Sequence, residues 1–130
     1  NMVPGAAMDD APVQENGQDG WLTEKVGNRF VALVYVNSPA DVDAATARNY
    51  QALATGAIAL EVVLVSPQAG TAPEGLRVLH DSAGRFAQRY DATAGTTYLL
   101  RPDQHVAARW RAFDAAQVAS ALARATGNTH

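Results

Sequence analysis

The most informative absence in this sequence of 130 residues is cysteine. Without thiols the chain forms no disulfide, supplies no thiolate to a metal, and has neither a cysteine nucleophile nor a redox-active cysteine pair. Enzyme classes that depend on a reactive thiol are therefore excluded. The absence also favours a reducing, cytoplasmic setting.

An excess of basic residues and long apolar runs are also missing. The ten Lys and Arg are outnumbered by 13 Asp and Glu, which gives a formal net charge of −3, so we expect no nucleic-acid partner. No apolar run reaches about 18 residues, and no basic-then-apolar pattern opens the sequence, so neither a membrane span nor a secretory signal is predicted. The apolar fraction of 48% is typical of one globular domain.

Catalytic and cofactor motifs are absent too. Gly17-Gln18-Asp19-Gly20 follows no predicted strand and leads into no phosphate-binding helix, so it does not fit a dinucleotide-binding loop. The three histidines, His80, His105 and His130, lack the spacing of metal ligands. We therefore predict no catalytic residue, no cofactor-binding residue and no metal ligand in this chain.

The first part of the chain, residues 1–20, is rich in proline, glycine and acidic residues and shows neither helical nor strand periodicity. We expect it to be an extended leader, acting as a linker or fixed to another body, and expect the domain proper to occupy residues 21–130. Trp21 should mark the entry into the core, because its large apolar ring follows directly on a polar segment.

Two nearly continuous apolar runs, 29–36 and 57–65, predict strands buried on both faces. Between them, Ser38 and Pro39 have the residue types that begin a helix, and Gly56 is the type that ends one. Because a helix joins the two strands, they should lie parallel, with a right-handed crossover.

A short apolar stretch, 76–79, follows a loop rich in proline and glycine. Ser82 can then cap a short helix. In that helix, Phe86 and Tyr90 are four residues apart and should share one face.

A hairpin comes next, with strands over 96–101 and 105–111 on either side of a turn that contains proline. Strict alternation in its second strand predicts that Val106, Ala108 and Trp110 lie on one side. The two strands should pair antiparallel.

The last helix has the strongest local signal. Asp114 is its expected cap, Phe113 can pack back on Val118, and Gly127 is its expected end. The stripe expected to face inward consists of Ala115, Val118, Ala119 and Leu122.

This order of elements predicts an α/β, thioredoxin-like fold: a central mixed sheet of about four to five strands (β-α-β, short helix, β-hairpin, C-terminal helix) flanked by helices. Thiol enzymes of this fold carry a cysteine at the first helix N-terminus. Here that segment is Val36-Asn37-Ser38-Pro39-Ala40, and Thr96-Thr97 stand where the fold usually has a cis-proline. A redox function is therefore not expected.

His80 and Asp81 are candidates for acid–base work, because they stand together before a helix. The simpler interpretation, a strand end followed by a helix cap, is favoured. His105 opens a strand after a tight turn and is expected on the surface.

Two further sets of residues admit a functional interpretation. Arg101, Arg109 and Arg111 would suit an anion or cofactor phosphate, although a solvated charged sheet edge is favoured. Trp21 and Trp110 would suit a planar ligand, although core or interface packing is the commoner use of such rings.

Several stretches resemble one family in the right order and over nearly the whole chain. Residues 4–13 resemble a segment with the pattern PG-x-x-x-x-DAP, and residues 98–110 resemble a hairpin with the pattern LVRPDGHVAWR. Residues 20–22 and 27–33 resemble a WL…GxxFxLL pattern between them. The family is the class A FAD-dependent aromatic hydroxylases, which include phenol, hydroxyphenylpropionate and polyketide hydroxylases. One departure is Gln104, where glycine is usual.

The resemblance implies that this chain corresponds to the cysteine-free, thioredoxin-like C-terminal domain of such a monooxygenase. That domain is non-catalytic, with a role in structure or subunit contacts. FAD and NAD(P)H would serve the parent protein, and this fragment would bind no cofactor. Its partners would be the FAD and substrate domains of the parent chain and, in an oligomer, a second copy. A bacterial, cytoplasmic protein is implied.

Two alternatives come from other classes. One is a free-standing thioredoxin-like protein that binds a small ligand or a partner without redox activity. The other is a degenerate peroxiredoxin-like protein, which the lack of cysteine disfavours.

Overall fold

A computed structural model describes residues 4–56 and 58–126. Its strands are β1 Pro12–Glu15, β2 Gln18–Trp21, β3 Val31–Tyr35, β4 Glu61–Ser66, β5 Arg77–His80, β6 Thr97–Leu100 and β7 Val106–Trp110. Its helices are α1 Leu22–Val26, α2 Ala44–Ala54, α3 Arg85–Arg89 and α4 Ala115–Ala125. The α/β, thioredoxin-like prediction is confirmed.

All strands belong to one mixed sheet with the order β2-β1-β5-β4-β3-β6-β7. The β3 and β4 strands are parallel, as the β-α-β pattern predicted, and β6 and β7 form the predicted antiparallel hairpin. The short apolar stretch 76–79 forms β5, which lies parallel to β4. Seven strands exceed the predicted four to five, because β1 and β2 add a second hairpin beside β5.

This second hairpin corrects the expectation that residues 1–20 contain no regular structure. Its turn is Asn16-Gly17, and both residues have positive φ (53° and 78°), which is the backbone that a two-residue hairpin turn requires. Each strand has only four residues, too few for a clear alternation in the sequence. The division of the chain at residue 20 stays a prediction.

The predicted helix from Ser38 to Gly56 forms as two pieces. The Ser38 hydroxyl caps only a short 3-10 turn, Pro39–Asp41, accepting from the Ala40 N–H at 3.3 Å. The chain then extends at Val42, and α2 starts at Asp43, whose carboxylate accepts from the Thr46 N–H at 2.7 Å. Asp43 is thus a second, independent cap that the sequence interpretation missed.

The second predicted strand also starts later than expected. β4 begins at Glu61, opposite Val31 on β3, rather than at residue 57. Leu60 is buried against the helices instead, which explains its apolar character. Ala57 lies outside the described residues.

The sheet separates two hydrophobic clusters. The aromatic face is covered by α1, α3 and the N-terminal segment, and its largest buried side chains are Tyr90, Tyr98, Phe86, Leu22, Leu33 and Leu79. The helical face is covered by α2 and α4, and it includes Val34, Leu64, Leu99, Tyr50, Val118 and Leu122.

The alternation predicted for β7 is wrong at its start. The register shifts between Leu99 and Leu100, which pair with Ala108 and Val106. Such a bulge leaves Ala107 as an extra residue. As a result Val106 packs on the aromatic face, whereas Ala108 and Trp110 pack on the helical face.

The stripe of α4 is corrected as well. Asp114 caps the helix as predicted, accepting from the Gln117 N–H at 3.1 Å. The buried positions are Val118, Ala121 and Leu122, while Ala115 and Ala119 stay exposed. Gly127, the predicted helix end, lies outside the described residues, as does His130.

Candidate functional site

The place where thiol enzymes of this fold carry their nucleophile is the start of the first crossover helix. Here it is built from Asn37, Ser38 and Pro39, and the Ser38 hydroxyl is engaged in capping the turn. The Ser66 hydroxyl closes the same corner, donating to the Asn37 carbonyl at 3.4 Å and accepting from the Gln68 N–H at 3.0 Å. These groups fix a loop and provide no activated nucleophile.

His80 and Asp81 occupy a strand end and a helix cap, as the simpler interpretation predicted. The buried Asp81 carboxylate accepts from the backbone N–H groups of Phe86 and Ala87 at 2.9 and 3.0 Å. It therefore caps α3, a role predicted for Ser82. The His80 ring lies between the Gln14 side-chain oxygen (3.2 Å) and a loop carbonyl (3.1 Å). Both residues thus have structural partners.

A stack of rings fills the aromatic face. The Phe86 and Tyr90 rings have centroids 4.4 Å apart, which confirms their predicted shared face, and Tyr90 meets Tyr98 edge-on at 5.0 Å. The Tyr35 ring also stacks on Phe86, with centroids 6.0 Å apart. Burial raises the pKa of both Tyr90 and Tyr35, so both hydroxyls stay protonated at neutral pH, and that of Tyr90 donates to the Asp9 carbonyl.

The N-terminal residues 5–11, called the strap below, begin at one end of the sheet. The Gly5 N–H donates to the Val106 carbonyl at 2.6 Å, and the Val106 N–H donates to the Ala6 carbonyl at 2.8 Å. The Met8 N–H bonds the Gln104 carbonyl at 2.9 Å. The strap therefore pairs with the start of β7 and then crosses the aromatic face to reach β1, near the other end of the sheet.

Two acidic residues fix the middle of the strap. The Asp10 carboxylate accepts from the Thr23 N–H at 3.0 Å and from the Thr23 hydroxyl at 2.9 Å, at the start of α1. The backbone carbonyl of Asp10 accepts from the Arg89 guanidinium, and that of Asp9 accepts from the Tyr90 hydroxyl, both at 2.5 Å. The strap is thereby bonded to α1, α3 and β7 of its own domain.

The hairpin turn that carries the family pattern holds the strap in place. Gln104 has φ of +61°, a conformation that favours glycine, so the departure from the usual glycine does not change the backbone. Its side-chain amide donates to the carbonyl of Thr23, in the first turn of α1, at 2.9 Å and to that of Gly27, just after the helix, at 3.1 Å. Asn28 completes this contact by donating to the Pro102 carbonyl at 3.0 Å.

The three candidate arginines lie in separate environments. Arg101 pairs with Asp103 within the turn, and this bond lowers the pKa of the Asp103 carboxyl. The Arg109 guanidinium lies 5.5 Å from the centre of the Tyr98 ring. Arg111 is exposed after the end of β7. Arg111 fits the expected solvated edge, whereas the Arg109 side chain is only 17% exposed and pairs with Asp91 at 3.4 Å.

A network of ion pairs links the side chains at the amino ends of the parallel strands. Arg77 on β5 makes two bonds to Glu15 on β1, at 2.8 and 3.0 Å, and one to Glu61 on β4, at 3.0 Å. Arg29 also pairs with Glu61, at 2.9 Å. The hydrogen bond from Arg77 lowers the pKa of Glu15. The network ties the first hairpin to the central sheet.

An open apolar groove of about 660 Å³ lies between α2 and α4. The Tyr50 and Phe113 rings meet edge-on within it, with centroids 4.7 Å apart. The exposed Ala115 and Ala119 of α4 form its opposite wall. Sequence reasoning missed this groove, because it assigned both alanines to the core.

Trp21 does not enter the core as predicted. Its side chain is 51% exposed, whereas the next residue, Leu22, is fully buried. Trp110 packs at the border of the helical face. The two rings thus lie at different places, Trp21 on β2 and Trp110 on β7, at opposite ends of the sheet.

Gly17 and Gly20 lie in the first hairpin, where Gly17 is part of the turn. A phosphate-cradling loop needs a strand followed by a helix N-terminus, so these residues do not fit FAD or a nicotinamide cofactor. In the part of the chain that the structure describes, no three metal-binding side chains come together. Within the same part, no helix is long and apolar enough to cross a membrane.

Residues 8–125 match the family described as HcaD C-terminal domain. No functionally curated protein matches the sequence. The flavin-dependent monooxygenase PieE, solved with FAD and substrate, is 21% identical and superimposes with a TM-score of 0.67. The match covers 99% of this chain and 21% of the PieE chain. Aklavinone-11 hydroxylase, solved with FAD and aklavinone, is also 21% identical, with a TM-score of 0.63 over 91% of this chain and 20% of its own.

This chain therefore spans about a fifth of the length of those two enzymes. The thiol peroxidase from Chromobacterium violaceum is 14% identical, with a TM-score of 0.75 over 95% of this chain and 87% of its own. These similarities show a thioredoxin- and peroxiredoxin-like fold. Together with the family match, they confirm the predicted resemblance to the C-terminal domains of FAD-dependent hydroxylases.

Proposed function

The chain belongs to the HcaD C-terminal domain family, and we propose that it is the non-catalytic C-terminal domain of an FAD- and NAD(P)H-dependent aromatic-ring monooxygenase. The observation that supports this proposal is the match over residues 8–125 in a chain that spans about a fifth of two flavin monooxygenases. The parent would be a bacterial, cytoplasmic oxidoreductase that inserts oxygen into an aromatic ring with the help of its flavin.

In this proposal the domain has a structural or subunit-contact role. Its partners are the FAD and substrate domains of the parent chain and a second copy in an oligomer. The strap supports such a role, because the residues at which a preceding domain would join are bonded to the domain body at Val106 and Gln104. A preceding domain would thus be tethered close to β7 rather than at the end of a free linker.

The first test is the reading frame upstream of residue 1, which should encode an FAD-binding domain. The second test uses a shortened parent protein that ends just before the position of residue 4 of this chain and therefore lacks the C-terminal domain. We expect the rate of NAD(P)H-dependent flavin reduction per bound FAD to stay unchanged. The melting temperature should fall, or the number of subunits in the assembly should decrease. An unrelated upstream sequence, or a truncated protein that binds FAD but no longer reduces it, would contradict the proposal.

The alternative is a free-standing, non-redox protein that binds a small ligand. The groove between α2 and α4 favours it, because its volume of about 660 Å³ lies within the usual range of ligand sites. Titration with small aromatic compounds, followed by the amide signals of Tyr50 and Phe113, tests it. Saturable shifts confined to the groove would support this alternative, and their absence would leave the monooxygenase domain as the better interpretation.

A further inference from the structure

Trp21 stands out because, among the described residues, it is the one large hydrophobic side chain that remains exposed. A single exposed hydrophobic residue is common on protein surfaces, so its surroundings decide whether it has a role. Trp21 is the last residue of β2, and β2 is the last strand at its end of the sheet. The ring therefore lies beside an open strand edge.

A cleft of about 450 Å³ adjoins the ring and is lined, besides Trp21, by Pro12, Val13, Asp19, Gly20, Glu24 and Ser82. The lining carries two carboxylates and no basic side chain. The Lys25 side chain extends across Gly20, and its ammonium nitrogen pairs with the Glu15 carboxylate at 3.7 Å. The cleft is therefore acidic.

Each carboxylate uses only one oxygen within the domain. The Asp19 Oδ1 accepts from the Gln14 amide at 2.8 Å, and the Glu24 Oε1 accepts from the Trp21 N–H at 3.2 Å. Both bonds hold the side chains in position around the cleft. Within the described part of the chain, the second oxygen of each has no hydrogen-bond partner.

The backbone of β2 offers a further pair of groups. The hairpin closes with a two-residue turn between Glu15 and Gln18, and Leu22 donates to Ala11 at 2.9 Å. In this register Gln18 and Gly20 bond inward to β1, and the N–H and C=O of Asp19 point away from the sheet. An extended segment can pair with such an edge.

We propose that this edge, defined by Asp19, Trp21 and Glu24, is the docking site for an extended segment of a partner protein that carries an arginine side chain. The segment pairs with the outward N–H and C=O of Asp19. Its guanidinium lies on the indole ring and donates to the two unused carboxylate oxygens. Arginine fits better than lysine, because a planar group with several donors can stack and bond to both carboxylates at once.

The test uses the whole 130-residue chain and the probe peptide acetyl-Thr-Val-Arg-Val-Thr-amide. Binding is followed by the amide signal of Asp19 and the indole signal of Trp21 in two-dimensional NMR. We expect saturable shifts with a dissociation constant on the order of 1 mM. The same peptide with citrulline, an uncharged isostere of arginine, should bind about fivefold more weakly.

The double variant Asp19→Asn, Glu24→Gln removes both charges and keeps both intradomain hydrogen bonds. It should weaken binding of the arginine peptide about fivefold, whereas Glu74→Gln, which changes an exposed carboxylate paired with Arg48, should leave it unchanged. Equal binding of the citrulline peptide, or shifts located elsewhere, would overturn the proposal. If free arginine amide binds as tightly as the arginine peptide, the site recognises a small cation and not an extended peptide segment, which would overturn the proposal. Association of the chain with itself that protects Trp21 would assign the edge to a second copy.

Discussion

The two faces of the sheet are built in different ways. The helical face is covered by two eleven-residue helices, and each starts at an aspartate that caps it locally. The aromatic face is covered by two five-residue helices and by the strap, and the strap is held by bonds to residues far from it in the chain. The comparison shows that one domain can combine a face specified by local sequence with a face specified by long-range contacts.

The contrast in packing follows from this. On the aromatic face, Phe86 is 1% exposed and stacks with both Tyr35 and Tyr90. On the helical face, Phe113 meets Tyr50 beside an open groove. The aromatic face is thus closed, and the helical face leaves space between its two helices.

The largest expected effect is that of Phe86→Ala. Removing a fully buried ring from a stack should lower the free energy of unfolding by about 3–5 kcal/mol. Phe113→Ala, the matched change on the helical face, should cost about 1–2 kcal/mol, because its ring is only partly buried. Urea unfolding measures both values. Equal losses would show that the two faces do not differ in packing.

Leu122→Ala tests the helical face at a buried leucine of α4. Leu122 is 4% exposed, so its truncation should cost about 2–4 kcal/mol in urea unfolding. Leu53→Ala, on the partly exposed side of α2, is the control and should cost less. A loss at Leu122 below about 0.5 kcal/mol would mean that α4 is not packed as described.

Asp10→Ala tests whether the strap is part of the aromatic face. The change leaves the Thr23 N–H without its acceptor and should cost about 1–3 kcal/mol. Amide exchange of residues 5–13 should accelerate at the same time. Asp41→Ala, at an exposed position in the 3-10 turn, is the control. Fast exchange of this segment in the unaltered chain would contradict a bonded strap.

Substitutions of Gln104 are expected to have a smaller destabilising effect, which depends on the residue introduced. Gln104→Ala keeps the unfavourable positive φ and loses two hydrogen bonds, so it should cost about 1–2 kcal/mol. Gln104→Gly loses the same bonds but removes the backbone strain, and should therefore cost less. Thermal unfolding of the two variants measures their relative stability. A glycine variant that is less stable than the alanine variant would contradict backbone strain at position 104.

The smallest effect concerns pH. The bond from Arg77 holds the pKa of Glu15 below 4.5, so folding favours the ionised carboxylate. Its contribution to stability is present above the unfolded pKa and is lost as the pH falls through the folded pKa. Glu15→Gln should therefore reduce the loss of stability on acidification below about pH 4.5. Denaturant unfolding at several pH values measures the slope, and identical slopes would contradict the assignment.

The position of Trp21 differs from the predicted one for a local reason. The sequence suggested that Trp21 enters the core, because a large ring follows a polar segment. In the structure Leu22 takes that place, since α1 starts there and turns Leu22 and Val26 inward. Neighbouring residues compete for one buried position, and only the direction of the helix decides between them.

Sequence alone determined the elements whose signals are local. The continuous apolar runs predicted β3 and β4, Asp114 predicted the start of α4, and the missing cysteine excluded thiol chemistry. These inferences hold because burial, capping and functional groups depend on the residues themselves. The similarity of the turn around Gln104 to one family also came from the sequence.

Only the tertiary structure decided where residues 4–21 lie and which side chains of β7 face each cluster. The strap is fixed by bonds to Tyr90, Arg89 and Val106. The first two bonds join residues 81 and 79 positions apart in the chain, so no local sequence pattern reveals them. The bulge at Ala107 reverses one side chain, since strand faces alternate with every residue. Long-range pairing therefore set both features, and with them the exposure of Trp21 at the open edge of the sheet.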